Sequence, residues 1–266
     1  MKLVVNTSYQ HMRQWLTQLP DLFRQGGDLI YSGRNVLRRF EADGEALVVK
    51  RFKRLDVLKG IIYTFFRKSK AERSYRNAER LLERGIDTPL PIAYIEQRRL
   101  GLVADTFYAC AYTDYEEVRS RFNLTADFDH DLAAAFAEFV ARLHESGVLH
   151  YDLNSGNVLY RQQPDGTYRF QLIDINRMDF MTDGKADGEA VRKPVPKADC
   201  MENLTLFTGN MALHAFVSRH YAEARGWDAD AFEKEARAVK LRHDRRWRIR
   251  KMITHPKKAI KRLKQC

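Results

Sequence analysis

The chain has 266 residues, 44% hydrophobic and 30% charged, enough to bury a full core as one large domain or two apposed lobes; it is neither a peptide, a repeat array nor a disordered chain. A net charge of +11 and a pI near 9.6 call for a polyanionic partner, whether nucleic acid, an anionic membrane face or a phosphorylated substrate, without choosing among them. Three cysteines, Cys110, Cys200 and Cys266, odd in number and without a CxxC pair, exclude a disulfide framework and a zinc cluster.

The opening MKLVVNTSYQ turns polar after three apolar residues and lacks the apolar core of a secretory signal. The most apolar internal stretch, residues 57–66, is short and contains Lys59, which rules it out as a bilayer span. A cytosolic chain is therefore expected. Met12, Trp15, Leu16 and Leu19 give the leader an amphipathic helical spacing, stopped by Gly26 and Gly27. Residues 28–32, 36–41 and 46–52 then read as three successive strands, the last two joined as a hairpin across Asp43-Gly44. Helical period returns over 69–84, with Tyr75, Ala78, Leu81 and Leu82 on one side, and Gly85 and Thr88-Pro89 end it. Two further strands fall at 92–96 and 102–112.

A polar segment at 113–116 divides an N-terminal lobe with its leader, 1–112, from a C-terminal lobe, 113–266. The second half opens with a helix over 131–146, whose stripe of Leu132, Phe136, Phe139, Val140 and Leu143 is packing and whose stop is Gly147. His144 reads as the end of that helix, where a cation suits the dipole. Short strands at 158–160 and 170–173 are joined by the Pro164-Asp165-Gly166 turn. A polar, turn-like insert over 182–197 precedes a largely helical remainder. Five strands with one helix after the third, then a mostly helical half with a small hairpin, make an α+β, two-lobed layout.

The chemistry concentrates in His150-Tyr151-Asp152-Leu153-Asn154-Ser155-Gly156-Asn157, which has the catalytic-loop spacing of kinases, with Tyr151 where protein kinases carry Arg. The spacing has a physical basis: one carboxylate must meet the acceptor hydroxyl, while an Asn carbonyl one loop-turn away holds a metal ion against the phosphates. Across the hairpin, Leu172-Ile173-Asp174-Ile175-Asn176 places a second acid where the kinase metal-binding Asp lies, with Asn176 in place of the usual Gly. Lys50 stands on the third strand, where kinases grip the α- and β-phosphates and pair the lysine with a helix glutamate. That glutamate is Glu72 or Glu79, seven apart on one face, with Glu72 nearer the helix start. The phosphate-covering turn Gly33-Arg34-Asn35 has one glycine only, so Arg34 and Asn35 are candidate side-chain donors. His150 reads as an organiser of the loop, since the kinase mechanism gives proton acceptance to the Asp.

With these residues in place, the sequence resembles the lipopolysaccharide kinase family of the Kdo/WaaP type, related to eukaryotic-like protein kinases. The resemblance runs over roughly residues 33–179 and includes Arg84-Gly85-Ile86-Asp87-Thr88-Pro89-Leu90-Pro91 and the basic Lys68-Ser69-Lys70-Ala71-Glu72-Arg73. It implies a two-lobed protein-kinase-like fold, with a small β-rich N-lobe carrying one main helix and a mostly helical C-lobe. It implies ATP and Mg²⁺ as cofactors, and transfer to a Kdo or heptose hydroxyl of the lipopolysaccharide inner core on the cytoplasmic face. Lys50 would hold the phosphates and Glu72 would orient Lys50. Asp152 would face the acceptor hydroxyl, and Asn157 and Asp174 would hold metal.

Residues 240–264 gather twelve Lys or Arg against the single acid Asp244, with Trp247, Ile249, Met252, Ile253, Ile260 and Leu263 interspersed, a pattern suited to an anionic membrane surface. A kinase of protein or of a small molecule, Rio-like or aminoglycoside-phosphotransferase-like, is the alternative. Against a protein acceptor, residues 176–197 lack the Ala-Pro-Glu that closes a protein-kinase activation segment. A nucleic-acid-binding module fits the charge, but no recognition motif with stacking aromatics accompanies it.

Overall fold

The computed structural model describes residues 1–123, 127–186 and 189–254. By contacts the chain divides into two compact units. The first comprises Met1–Glu116 with Phe170–Met178, and the second Glu117–Arg169 with the chain from Asp179 onward. The family-implied architecture holds in a β-rich N-terminal sheet and a helical C-terminal part; the first unit carries two helices of similar length, Arg13–Gln25 and Lys70–Glu83, rather than one main helix.

The first unit starts with β1 (Lys2–Val5), a short 3₁₀ turn (Thr7–Met12) and α1 (Arg13–Gln25). Leu16, Leu19 and Phe23 recur at helical spacing and are almost fully buried. Each such side chain contributes roughly 1.5–3 kcal/mol through area removed from water. After the helix, Gly27 takes a left-handed φ of +94°, and a Cβ there would lie 2.5 Å from the Phe40 ring, so no other residue fits. β2 (Asp28–Ser32), β3 (Val36–Ala42) and β4 (Glu45–Arg51) follow. The β3–β4 register runs from Val36 opposite Arg51 to Ala42 opposite Glu45, closed by Asp43 and Gly44, both at positive φ. Next come α2 (Val57–Ile61), a π-helical turn (Ile62–Phe66) and α3 (Lys70–Glu83). α3 starts on a serine N-cap: the Ser69 hydroxyl accepts from the Glu72 backbone N–H at 3.1 Å.

β5 (Pro91–Arg99) and β6 (Leu102–Ala111) complete a sheet of order β1-β5-β6-β4-β3-β2. The sheet thus has six strands where the sequence reading has five. Lys2 to Val5 pair antiparallel with Glu96 to Ala93, and Val5 joins the core that α1 forms with Leu47, Val49, Ile92 and Phe107. Four residues, three of them apolar, carry too little periodicity to announce a strand; β5 supplies the partner that makes one.

The second unit contains α4 (Arg119–Phe122), α5 (His130–Glu145), β8 (Val148–His150), β9 (Val158–Gln162), α6 (Lys197–Asn203), α7 (Met211–Ala224) and α8 (Ala229–Thr254); short β7 (Glu116–Glu117), β10 (Tyr168–Leu172) and β11 (Met178–Phe180) lie at the points where the chain passes from one unit to the other. The turn-like insert at 182–197 is instead a hairpin, β12 (Thr182–Ala186) with β13 (Glu189–Arg192), before α6 begins at Lys197. Polar strands of this length have no apolar alternation to read. The predicted α5 stripe is buried, and Phe136 packs on Phe122 and Phe207 with ring centroids 5.3 Å from each. Tyr221 of α7 stacks on Phe232 of α8. No helix among the described residues is long and apolar enough to cross a membrane. Cys110 and Cys200 are free thiols; burial pushes Cys110 up to about 12 and also raises Cys200, so neither is primed for reaction. Cys266 lies outside the described residues.

Candidate active site

In the first unit, β4 carries Lys50 opposite Tyr108 of β6, with its ammonium 5.3 Å from the Phe52 ring centroid. Its Nζ lies 2.7 Å from Oδ1 of Asp174. That oxygen also accepts from Asn176 Nδ2 at 2.7 Å, so the Asn that replaces the usual Gly orients the carboxylate. Asp174 sits at a left-handed φ of +54°, a conformation that Asp tolerates better than most residues. Three contacts hold its segment. The Leu172 N–H donates to Asp87 O at 3.0 Å, the Thr88 hydroxyl to Leu172 O at 2.7 Å, and Asn77 Nδ2 of α3 to Ile175 O at 2.7 Å. The Ile86-Asp87-Thr88-Pro89 turn is thus the seat on which the Asp174 segment is fastened.

Around that pair the charge is positive. Burial pulls the Lys70 ammonium down, and the charges of Arg34, Arg73 and Lys50 pull it further, with Asp174 only partly opposing them. Arg73 is lowered likewise, by burial and then by Arg67. A cation lowered by burial and by its like-charged neighbours, as Lys70 is, gains when a polyanion enters. Lys70 is a binding candidate that the sequence reading passed over as part of a basic helix start; its mutual charge effects with Arg34 and Lys50 are what single it out.

Gly33 lies where the phosphate-covering turn is expected. A Cβ there would come within 2.4 Å of the Tyr31 hydroxyl, and its N–H donates to Asn35 O at 3.0 Å. The Asn35 side-chain oxygen accepts from the Lys53 N–H at 3.2 Å and so braces the strands. Arg34 is the member of this turn that contributes charge to the Lys70 cluster.

Glu72 does not pair with Lys50 among the described residues. It is buried, with Lys2 Nζ at 3.1 Å and Arg76 Nε at 2.8 Å. Burial opposes its charge, but the Arg76 and Lys2 hydrogen bonds win and hold the carboxyl below its ordinary value. The reason is β1, which the sequence reading missed: it brings Lys2 to Glu72, with Glu96 at 3.9 Å. Glu79 bonds Tyr75 instead, whose hydroxyl is raised by burial and by that carboxylate. Among the described residues, Lys50 pairs with Asp174 instead.

In the second unit, residues 150–157 form a loop framed by its own amides. The Asp152 N–H donates to His150 Nδ1 at 3.0 Å, so this buried imidazole organises the loop. Asn157 Nδ2 donates to Asp152 O at 2.8 Å, which leaves the Asn157 carboxamide oxygen as the atom able to ligate a metal. Asn154 was missed as a site residue. Its Nδ2 lies 3.2 Å from Asp152 Oδ1, its Oδ1 accepts from the Gly156 N–H at 3.0 Å, and Arg119 Nη2 lies 3.2 Å from that same oxygen. An Asn two residues before a Gly is the Asx-turn signal that could have found it. The Tyr151 hydroxyl bonds Asp179.

Behind the loop runs a directed relay. Arg225 Nη1 donates to the Tyr221 hydroxyl at 2.8 Å, which faces His144 Nδ1 at 3.0 Å; His144 Nε2 faces Asn203 Oδ1 at 3.0 Å, and Asn203 Nδ2 donates to His150 O at 2.8 Å. The order assigns the His144 proton to Nε2. Burial drops His144 to about 4, so it is neutral at pH 7. The expected cation at a helix end is corrected: the side chain points into the core, where a charge is costly.

A family model described as the lipopolysaccharide kinase (Kdo/WaaP) family matches residues 34–189, more than half of the chain. Among solved structures, one titled "WaaP in complex with acyl carrier protein" is similar to this chain at a TM-score of 0.59 and 16% identity, covering 92% of this chain and 98% of that one. That likeness carries the fold, a kinase-like one, and the family match includes Lys50, Asp152, Asn157 and Asp174. The chain belongs to the lipopolysaccharide kinase (Kdo/WaaP) family.

Proposed function

We propose that the chain transfers the γ-phosphoryl group of ATP to a Kdo or heptose hydroxyl of the lipopolysaccharide inner core. The observation that carries the nucleotide half of this reading is the cation cluster of Arg34, Lys50 and Lys70 beside Asp174, a set suited to a triphosphate and its metal. No group of three or more His, Cys, Asp or Glu among the described residues is arranged as a metal cage. This accords with Mg²⁺, which is bound through one or two carboxylates together with substrate phosphates. Asp174 and the Asn157 oxygen would hold it, and when bound it would neutralise charge on the phosphates. Lys50 exchanges its Asp174 contact for phosphate oxygens. Asp152 accepts the acceptor hydroxyl's proton, and Asn154 and His150 hold that carboxylate's loop in place.

The acceptor follows from the family and from the missing Ala-Pro-Glu. Mg-ATP offered with Kdo-bearing lipid A, a heptose-bearing core and a generic protein should add one phosphoryl mass to a sugar acceptor. Labelling of the protein alone would overturn the assignment.

Membrane attachment on the cytoplasmic side through the basic C-terminal segment belongs to the same proposal. In the described part, Trp247, Ile249, Met252 and Ile253 are exposed among cations, while residues 255–266, with Ile260 and Leu263, lie outside the described residues. Lys240 is not part of a solvated face: it is buried and donates to Thr205 O at 3.1 Å and to Asp244 at 2.8 Å. A truncation testing the tail therefore starts at Arg245.

A further inference from the structure

The segment from α2 through the π-helical turn is amphipathic in the inverted sense. Val57, Leu58, Ile61, Ile62, Phe65 and Phe66 recur as pairs every four residues, and all six are exposed, Leu58 by 75% and Phe66 by 81%. Gly60 and Thr64 face the protein. Gly60 is buried, and a Cβ there would meet Val103 O at 3.0 Å; the Thr64 hydroxyl donates to Gly60 O at 2.6 Å and accepts from the Val103 N–H at 2.9 Å. A π turn, closed by Arg67 N–H to Ile62 O at 2.9 Å, carries Phe65 and Phe66, which are exposed like the pairs before them. The outward direction of the apolar row is thus fixed by hydrogen bonds and close packing.

Its surroundings are basic. Residues 53–70 hold six Lys or Arg against the single acid Asp56, which is engaged by Lys59. At the aromatic end lies a cavity of about 280 Å³ lined by Phe65 and Phe66, by the cations Lys2, Arg67, Lys68 and Arg98, and by Glu72 and Glu96, which pair with Lys2 and leave the other three cations in excess. The nearby β5–β6 turn exposes Leu100 next to Arg98 and Arg99.

We infer that this ridge docks the protein on an anionic lipid bilayer, with the apolar pairs in the acyl boundary and the flanking cations at the level of the lipid phosphates. For a row of six exposed apolar side chains bracketed by cations, an acyl layer under a phosphate layer presents both halves of its chemistry at the right depths. Contiguous exposed apolar surface of this kind marks an interaction site. The inference is independent of the acceptor sugar and of the C-terminal segment.

The test uses the full chain and vesicles of three parts phosphatidylethanolamine to one part phosphatidylglycerol. The Phe65→Ser/Phe66→Ser double variant, at exposed positions, should keep the melting temperature of the wild type and lose about tenfold or more in vesicle partitioning. A Phe66→Trp variant should shift its emission to the blue on adding vesicles, and less at high salt. Unchanged partitioning of the double variant overturns the inference, including the case where it abolishes self-association or capture of an acidic protein, which would assign the ridge to a protein partner. Loss of binding on deleting 245–266 with none on altering the ridge would assign the membrane contact to the tail alone.

Discussion

The two halves of the chain hold their candidate residues by different forces. In the first unit, Lys50 and Asp174 are compensated by each other, inside a surplus of cations. In the second, Asp152 rests on a frame of backbone and amide hydrogen bonds, with His150 and Asn157 bonding its main chain. A charge pair reorganises when a stronger anion or a metal arrives; an amide frame does not. The first half is thus the one whose geometry depends on ligand, and the second is built in advance.

The largest expected effect breaks the second half without disturbing its frame. The loop uses the main-chain N–H and O of residue 152, so Asp152→Asn should leave melting and nucleotide binding near wild type. Turnover should fall about 10²–10⁴-fold, measured on a Kdo-bearing lipid A acceptor. Comparable turnover would remove Asp152 from the reaction. Asp174→Asn should behave differently, because it strips the counter-charge from Lys50 and a donor from the metal. Calorimetry should show Mg-ATP binding weaker by about 10–100-fold alongside the loss of turnover.

A smaller effect sharpens the contrast through pH. His144, in the relay behind the loop, and His214, between Phe207 and α8, are both lowered by burial to about 4. Arg225 adds to the shift at His144 and Lys240 at His214, where Asp244 opposes it. The folded protein keeps both neutral, while the unfolded chain takes up protons below about 6.5. Their contribution is present above that pH and is lost as pH falls toward 4. At pH 5.5 each should cost about 1.4 kcal/mol, read from urea unfolding at pH 7 and 5.5. A pH-independent unfolding free energy across this window would contradict the buried, neutral assignment. The smallest effect is Lys70→Met, which should raise the KM for ATP about fivefold, near 1 kcal/mol, with kcat little changed.

Much of this was legible because it is local. Asp152 and Asn157 share one loop, Asp174 ends a short strand, and Lys50 lies on a strand whose hairpin turn is written as Asp-Gly. What escaped depends on distant partners. Glu72 was matched to Lys50 because nothing in MKLVV announces a strand that delivers Lys2 to it. His144 looked like a helix end until Tyr221 and Asn203, far along the chain, turned it inward. Residues 57–66 were read only as too short for a membrane span; the face they present is decided by Gly60 and Thr64 against Val103. Asn35 and Arg34 could not be ranked from composition, since the Lys53 N–H that occupies the one and the Lys70 charge that engages the other belong to different elements.

The return of Phe170–Met178 to the first unit has a consequence for the order of synthesis. Asn77 and Thr88 are buried, and both spend a side-chain hydrogen bond on that segment, as Lys50 spends its charge on Asp174. When residues 1–116 have emerged from the ribosome, the N-terminal sheet can pair its six strands, yet these groups still have no partner. They wait while residues 117–178 are added, about 3–12 s at ordinary elongation rates of 5–20 residues per second. A ribosome that stalls in this interval displays a sheet whose Lys50 is present but uncompensated, and a fragment ending at Glu116 would carry the same unfinished wall permanently.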